Sequence, residues 1–255
     1  MIIHPLSFRR LYVSNETLGH KYAISPDFKV LQNIDSAALS IASLVTESML
    51  KNSLSSHNIL QTSYGLSTSS IVDGVYSCPP VSDGLPTFIF VGSISVRKGV
   101  HLLLDYWVKA KLKAKLQLVG SIEPAIKSLV ESYLGRSGIE HIPYTDDLTS
   151  IYKKADAFVL SSLEEGSPLV TYMALGAGLP LLVSPMGAGG IVKNGDEGFV
   201  IEPYDADAWI QSLQKLAENR ELREKLGIKS KSKASYYLWD EVAKRRLNLL
   251  TDAIN

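Results

Sequence analysis

Residues 87–99 read TFIFVGSISVRKG, and the fold turns on how that stretch is interpreted. TFIFV (87–91) is short, apolar and rich in β-formers, and it stops at Gly92. After Lys98-Gly99, apolar residues recur at Val100, Leu103, Leu104, Trp107 and Val108. That spacing places them on one face of a helix. The segment is therefore a buried strand, a glycine turn carrying Arg97 and Lys98, and a helix.

The same alternation continues downstream. LQLVG (116–120) reads as the next strand, and Ile126, Leu129, Val130, Tyr133 and Leu134 repeat the helical series. A strand over 139–144 follows, then a short helix with Leu148, Ile151, Tyr152 and Ala155 inward. AFVL (157–160) and LLV (181–183) are two more buried strands. Strands apolar on both faces, joined by helices, predict a parallel sheet covered on each side: an α/β, Rossmann-like fold. Ligands of such sheets sit at the carboxyl ends of the strands. The loops after Val91, after residue 143, after Leu160 and after Val183 are then the ones to inspect.

Asp205 is positioned to cap a helix with Trp209, Leu213, Leu216 and Ala217, and a last helix carries Trp239 to Ile254. Residues 1–80 read as a partial N-terminal segment and linker, and 81–255 as the main domain. In the first part, helices near 27–42 and 48–55 and strands near 43–46 and 58–63 are expected. Gly65 to Leu85 reads as a linker.

Composition narrows the function classes. Lys+Arg and Asp+Glu are equal at 26 each, which argues against a nucleic-acid binder. One cysteine, Cys78, excludes an intrachain disulfide and fits a reducing, cytoplasmic setting. No Cys/His cluster has zinc-ligand spacing, so no metal is expected. His4, His20, His57, His101 and His141 are scattered and read as structural or surface residues. Pro168 to Val192 carries no charge and is long enough to span a bilayer, but its Gly and Pro content breaks any single helix. It reads as a buried helix, a turn, a core strand and a glycine loop. Peripheral membrane contact stays open.

Three loops carry candidate chemistry. In Gly92 to Gly99, Arg97 and Lys98 stand at a helix start, where N–H groups and partial positive charge favour a diphosphate. The same residues also read as a solvated helix start with two surface cations. In Ser161 to Pro168, Glu164 and Glu165 follow a buried strand, and Gly166 permits close approach of a ligand. The alternative is acidic decoration of a helix N-terminus. Pro185 to Val192 reads as a glycine loop, and Asn194 to Phe199 as a tight hairpin.

The order "VG…RKG", "SSLEEGSPLV", "ALGAGLPLLVS", "GGIVKNGDEGFVIEPYD" resembles family 4 (group 1) glycosyltransferases of the GT-B fold. The likeness covers residues 87–255, the donor-binding C-terminal domain, and implies a truncated N-terminal domain. It implies that Lys98 neutralises a donor diphosphate. Ser93 stands where the family's arginine follows Gly92, with Arg97 as a compensating cation. Glu165 faces the donor sugar and is the catalytic candidate. Gly166, Ser167, Pro168, Leu169 and Val170 hold sugar and phosphate, and Tyr144 and Thr145 sit by the base. Met173 occupies the position of a second glutamate that binds ribose, and a thioether makes no strong hydrogen bonds.

The resemblance thus implies a retaining hexosyltransferase of glycan or polysaccharide biosynthesis. It would use a UDP- or GDP-type sugar with no further cofactor, and a partner chain could supply the acceptor domain. Met173 and the short N-terminus also fit a non-catalytic nucleotide-sugar-binding module, or one subunit of a split transferase. An epimerase or phosphorylase of the same fold is a third reading.

Overall fold

The structure, a computed structural model, describes residues 38–40, 59–67 and 84–252. The chain divides into two units, one of Leu66–Leu238 and one of Met1–Gly65 with Trp239–Asn255. The last helix therefore groups apart from the rest of 81–255.

In the second of these units, β1 (Ala38–Ser40) pairs in parallel with β2 (Ile59–Gln61). Residues 38–40 were expected inside a helix and are a strand instead. Three paired residues outweigh a weak local helical preference. The strand near 58–63 is present as β2. The rest of the expected helix, the strand near 43–46, the helix near 48–55 and most of the linker lie outside the described residues.

The unit Leu66–Leu238 is built on one six-stranded sheet. Its strands are β3 (Thr87–Val91), β4 (Lys115–Val119), β5 (Ile139–Ile142), β6 (Ala157–Leu160), β7 (Leu181–Val183) and β8 (Gly198–Val200). Every pairing is parallel, in the order β5-β4-β3-β6-β7-β8. Phe88, Ile89, Phe90, Phe158, Leu181 and Leu182 are fully buried, as strands covered on both faces require.

The crossovers supply the cover. α1 (Val100–Ala110) packs on α6 (Ala206–Glu218), and α4 (Leu169–Gly176) packs on α7 (Arg220–Ala234). Crossovers between parallel strands are right-handed, so the helix after β3 and the helix after β6 lie on opposite faces once strand order reverses. The reversal falls between β3 and β6. The carboxyl ends of these two strands are the switch point at which the ligand crevice of such sheets lies.

Several details depart from the sequence reading. Tyr106 replaces Val108 on the buried face of α1, and its hydroxyl donates to the Pro203 carbonyl at 3.0 Å. Leu129 of α2 (Lys127–Tyr133) is exposed, because a 3₁₀ turn at Pro124–Ile126 advances the chain faster and rotates the helical stripe. β5 ends at Ile142, ahead of Pro143, which has no N–H for the ladder. The glycine stretch after β7 contains a single helical turn, α5 (Pro185–Ala188), capped by Ser184, whose hydroxyl accepts from Gly187 N at 3.0 Å. The expected hairpin at 194–199 is not one. Gly195 N does close a turn onto Gly198 O at 2.7 Å, but β8 runs on parallel to β7.

The charge-free stretch 168–192 thus resolves into α4, β7 and α5. No helix among the described residues is long and apolar enough to cross a membrane.

Candidate functional site

Three loops meet at the crevice. The loop after β3 is tied to the loop after β6 by Leu163 N, which donates to Arg97 O at 2.8 Å. Ser161 Oγ bonds the carbonyls of Lys98 and Gly99 at 3.2 and 3.0 Å. The loop after β7 joins through Ser184 Oγ, which donates to Ser162 O at 2.6 Å. All three serines are buried. These hydroxyls satisfy carbonyls that the ends of a parallel sheet leave open.

Lys98 and Glu165 come together from two of these loops. Lys98 Nζ donates to Glu165 Oε1, with the two side chains 11% and 7% exposed. Ser162 Oγ donates to the same carboxylate oxygen at 2.8 Å. Arg97, half exposed, stands 3.8 Å from Glu165 Oε2 and donates to the Glu164 carbonyl at 3.2 Å. Both cations and the carboxylate therefore share one corner of the crevice.

A cavity of about 390 Å³ opens beside that corner. Its walls include Gly92 and Ser93 after β3, Gly120 and Ser121 after β4, Tyr144 to Asp146 after β5, and Val170 on α4. A Cβ on Gly92 would lie 3.8 Å from Lys98 Cε, so the end of the lysine side chain comes close to Gly92 in the cavity wall. Tyr144, largely exposed, donates to Asp146 Oδ1 at 2.8 Å, which holds its phenol pKa above the ordinary value. Asp147 caps α3 (Leu148–Lys153) by accepting from Ser150 N at 3.1 Å, which lowers its pKa. Ser93 Oγ donates to Glu123 Oε1 at 2.8 Å.

α4 starts at the opposite lip. Pro168 is buried and Leu169 is exposed. Ser167 Oγ is buried without a partner among the described residues. Gly166 has open space where a side chain would be. Met173 follows the cavity-lining Val170 by three residues, which puts both on one helix face.

A sequence model of the family described as glycosyl transferases group 1 matches residues 79–233. The chain belongs to that family. An uncharacterized glycosyltransferase of Haemophilus influenzae is 31% identical over 159 residues, 59% of this chain and 45% of that protein. The capsular polysaccharide biosynthesis glycosyltransferase CapM of Staphylococcus aureus is 27% identical over 165 residues, 60% of this chain and 43% of the relative. The chain spans less than half the length of these two relatives. Two solved structures share the fold with a TM-score of 0.71 each. The lipopolysaccharide outer core galactosyltransferase WaaB, in its apo form, is 18% identical, and the match covers 84% of this chain and 61% of that one. HepE of Anabaena, in complex with UDP and glucose, is 14% identical, with 84% and 62% covered. The six-stranded sheet is the Rossmann-like sheet of a GT-B glycosyltransferase.

For a group 1 glycosyltransferase sequence, the site residues fall into three groups in space. Arg97, Lys98 and Glu165 form the charged corner. Gly92, Ser93, Tyr144, Thr145 and Val170 line the cavity. Gly166, Ser167, Pro168 and Leu169 lead into α4. One expectation about the helix start changes: the leading amides of α1 are not open, because Gly99 N donates to Val96 O and Val100 N to Ser95 O. The loop folds back over its own helix.

Sequence reading gave no role to Ser162, Ser184 or Asp146, and placed Leu148 on the inward side of a helix rather than at the cavity. Ser162 and Ser184 follow buried strands, and position alone marks them. Asp146 has no pattern of its own and is placed by the turn after Pro143. His101, on α1, has a buried Nδ1 without a partner among the described residues, and burial lowers its pKa. His141 Nε2 bonds the Gly120 carbonyl at 2.8 Å. His4, His20, His57 and Cys78 lie outside the described residues.

Proposed function

We propose that the chain binds a nucleotide-diphosphate sugar, of UDP or GDP type, and transfers the sugar with retention to an acceptor in glycan or polysaccharide biosynthesis. The observation that carries this is the meeting of Lys98 and Glu165 beside a cavity whose wall residue Gly92 lies close to the end of the lysine side chain. The nucleoside occupies the cavity, with the base against Tyr144 and Thr145. The diphosphate lies against Lys98 and Arg97, close to the start of α4, where backbone N–H groups add positive potential. The sugar faces Glu165, which accepts from its hydroxyls and orients the anomeric carbon.

Departure of the diphosphate develops negative charge on its bridging oxygen. The two cations and the amide dipoles gathered at this corner stabilise that charge, which lowers the barrier. The acceptor site comes from a partner chain or from the part of the protein outside Leu66–Leu238. Work in the cytoplasm, with peripheral contact to a membrane that carries the acceptor, is consistent with this reading.

Met173 favours a second reading, a nucleotide-sugar-binding module without catalysis of its own, since no carboxylate stands there to hold ribose. Calorimetry with UDP, GDP and ADP tests binding, and a product assay on the purified chain separates enzyme from module. Lys98→Ala is expected to weaken binding of UDP-glucose or GDP-mannose about ten- to a hundredfold, the worth of one charge-assisted contact. Unchanged affinity in that variant would remove the diphosphate from this corner.

A further inference from the structure

The two side chains assigned to adjoining parts of a donor, its diphosphate and its sugar, are bonded to each other. Lys98 Nζ donates to Glu165 Oε1, and Ser162 Oγ donates to that same oxygen at 2.8 Å. Ser162 is itself fixed, because Ser184 Oγ donates to its carbonyl at 2.6 Å. Ser161 Oγ holds the carbonyls of Lys98 and Gly99 from the other side. The pair is thus locked between two loops and nearly closed to water.

A buried ion pair tolerates exchange of both partners far better than loss of one, because an unpaired buried charge keeps its full desolvation penalty. A ligand that brings only an anion takes Lys98 and leaves the Glu165 carboxylate without its cation. A ligand that brings an anion together with several hydroxyl donors gives new partners to both. We propose that the Lys98–Glu165 pair, anchored by Ser162, makes the site select an intact nucleotide-diphosphate sugar over the nucleoside diphosphate left after transfer. This rests on the donor reading above. It assigns Ser162 as a positioning residue that keeps the carboxylate where the lysine can return to it. Once the sugar has gone, Glu165 reclaims Lys98 and the diphosphate loses its counter-ion.

The test is calorimetry on the full chain, comparing wild type, Glu165→Gln and Ser162→Ala. The probes are UDP, GDP, UDP-glucose and GDP-mannose. Glu165→Gln removes the competing charge, so the nucleoside diphosphate is expected to bind about tenfold tighter while the nucleotide sugar gains nothing. Ser162→Ala keeps both charges and is expected to shift the ratio in the same direction by about threefold. A folded Glu165→Gln variant with unchanged or weaker nucleoside-diphosphate affinity overturns the inference and leaves the donor reading standing. Should that variant not fold, Ser162→Ala decides alone. Equal weakening of both ligand classes by Ser162→Ala marks a merely structural serine and overturns the inference. Absence of binding by any probe to the wild type overturns the donor reading and this inference with it.

Discussion

Gly99 packs directly on Ser161, so closely that a Cβ added to the glycine would stand 2.0 Å from the Ser161 carbonyl oxygen. The same glycine has φ 65°, a left-handed conformation that side chains resist. The contact joins the loop after β3 to the end of β6, the two strands between which sheet order reverses. Lys98 precedes it and Ser162 follows its partner, so this backbone contact sets where the charged corner forms.

Gly99→Ala is therefore expected to push the loops apart. Steric overlap and backbone strain together should cost more than about 2 kcal/mol of stability. Urea denaturation measures that loss, and nucleotide calorimetry should show binding weakened alongside it. A variant with wild-type midpoint and affinity would mean the two loops can separate freely, and the corner would not depend on their contact.

The main frame was legible because its signals are long and periodic. TFIFV and AFVL are apolar on both faces, LQLVG is apolar but for the half-exposed Gln117, and the series through Val100, Leu103, Leu104 and Trp107 fixed α1 and its buried side. What was missed is short or depends on distant partners. β1 and β8 have three residues each, too few to show a period. α5 is one turn whose cap, Ser184, also serves the neighbouring loop. At the site, Lys98 and Glu165 could be singled out by their places at strand ends. Their pairing could not, because the two are 67 residues apart and meet only when β3 and β6 lie side by side.

The far edge of the sheet offers a pH test. Asp196 sits between Lys229 Nζ at 2.7 Å and Lys193 Nζ at 3.1 Å, and hydrogen bonds from these lysines lower its pKa from 3.8 to about 2. A depressed carboxylate pKa contributes stability that is present above the unfolded value and is lost as pH falls through the folded one. The contribution should be complete at about pH 5 and gone only below the folded value, at about pH 1. Comparing denaturation midpoints of wild type and Asp196→Asn across that range isolates it, since the remaining acids titrate in both proteins. The gap between them should close as pH falls from about 5 to about 1. It should also shrink with added salt, because the groups are exposed. A gap independent of pH would show that the lysines do not bind the charged carboxylate in solution.

Met173 gives the sharpest test of how the nucleoside lies. It is half-buried on α4, one turn beyond the cavity-lining Val170 and on the same face. A thioether offers a ribose only weak acceptance, whereas a carboxylate at that site could take both hydroxyls. Met173→Glu should then tighten UDP or GDP by about tenfold or more, the worth of a charge-assisted hydrogen bond at about 1.5–3 kcal/mol. The matching 2′-deoxynucleotide should gain less, because it lacks one of the two donors. Both titrations are direct on the purified variant. Tightening confined to the ribonucleotide places ribose against this turn of α4. Equal affinities in wild type and variant would put the ribose elsewhere in the cavity, and the glutamate would then be only a new charge near a diphosphate.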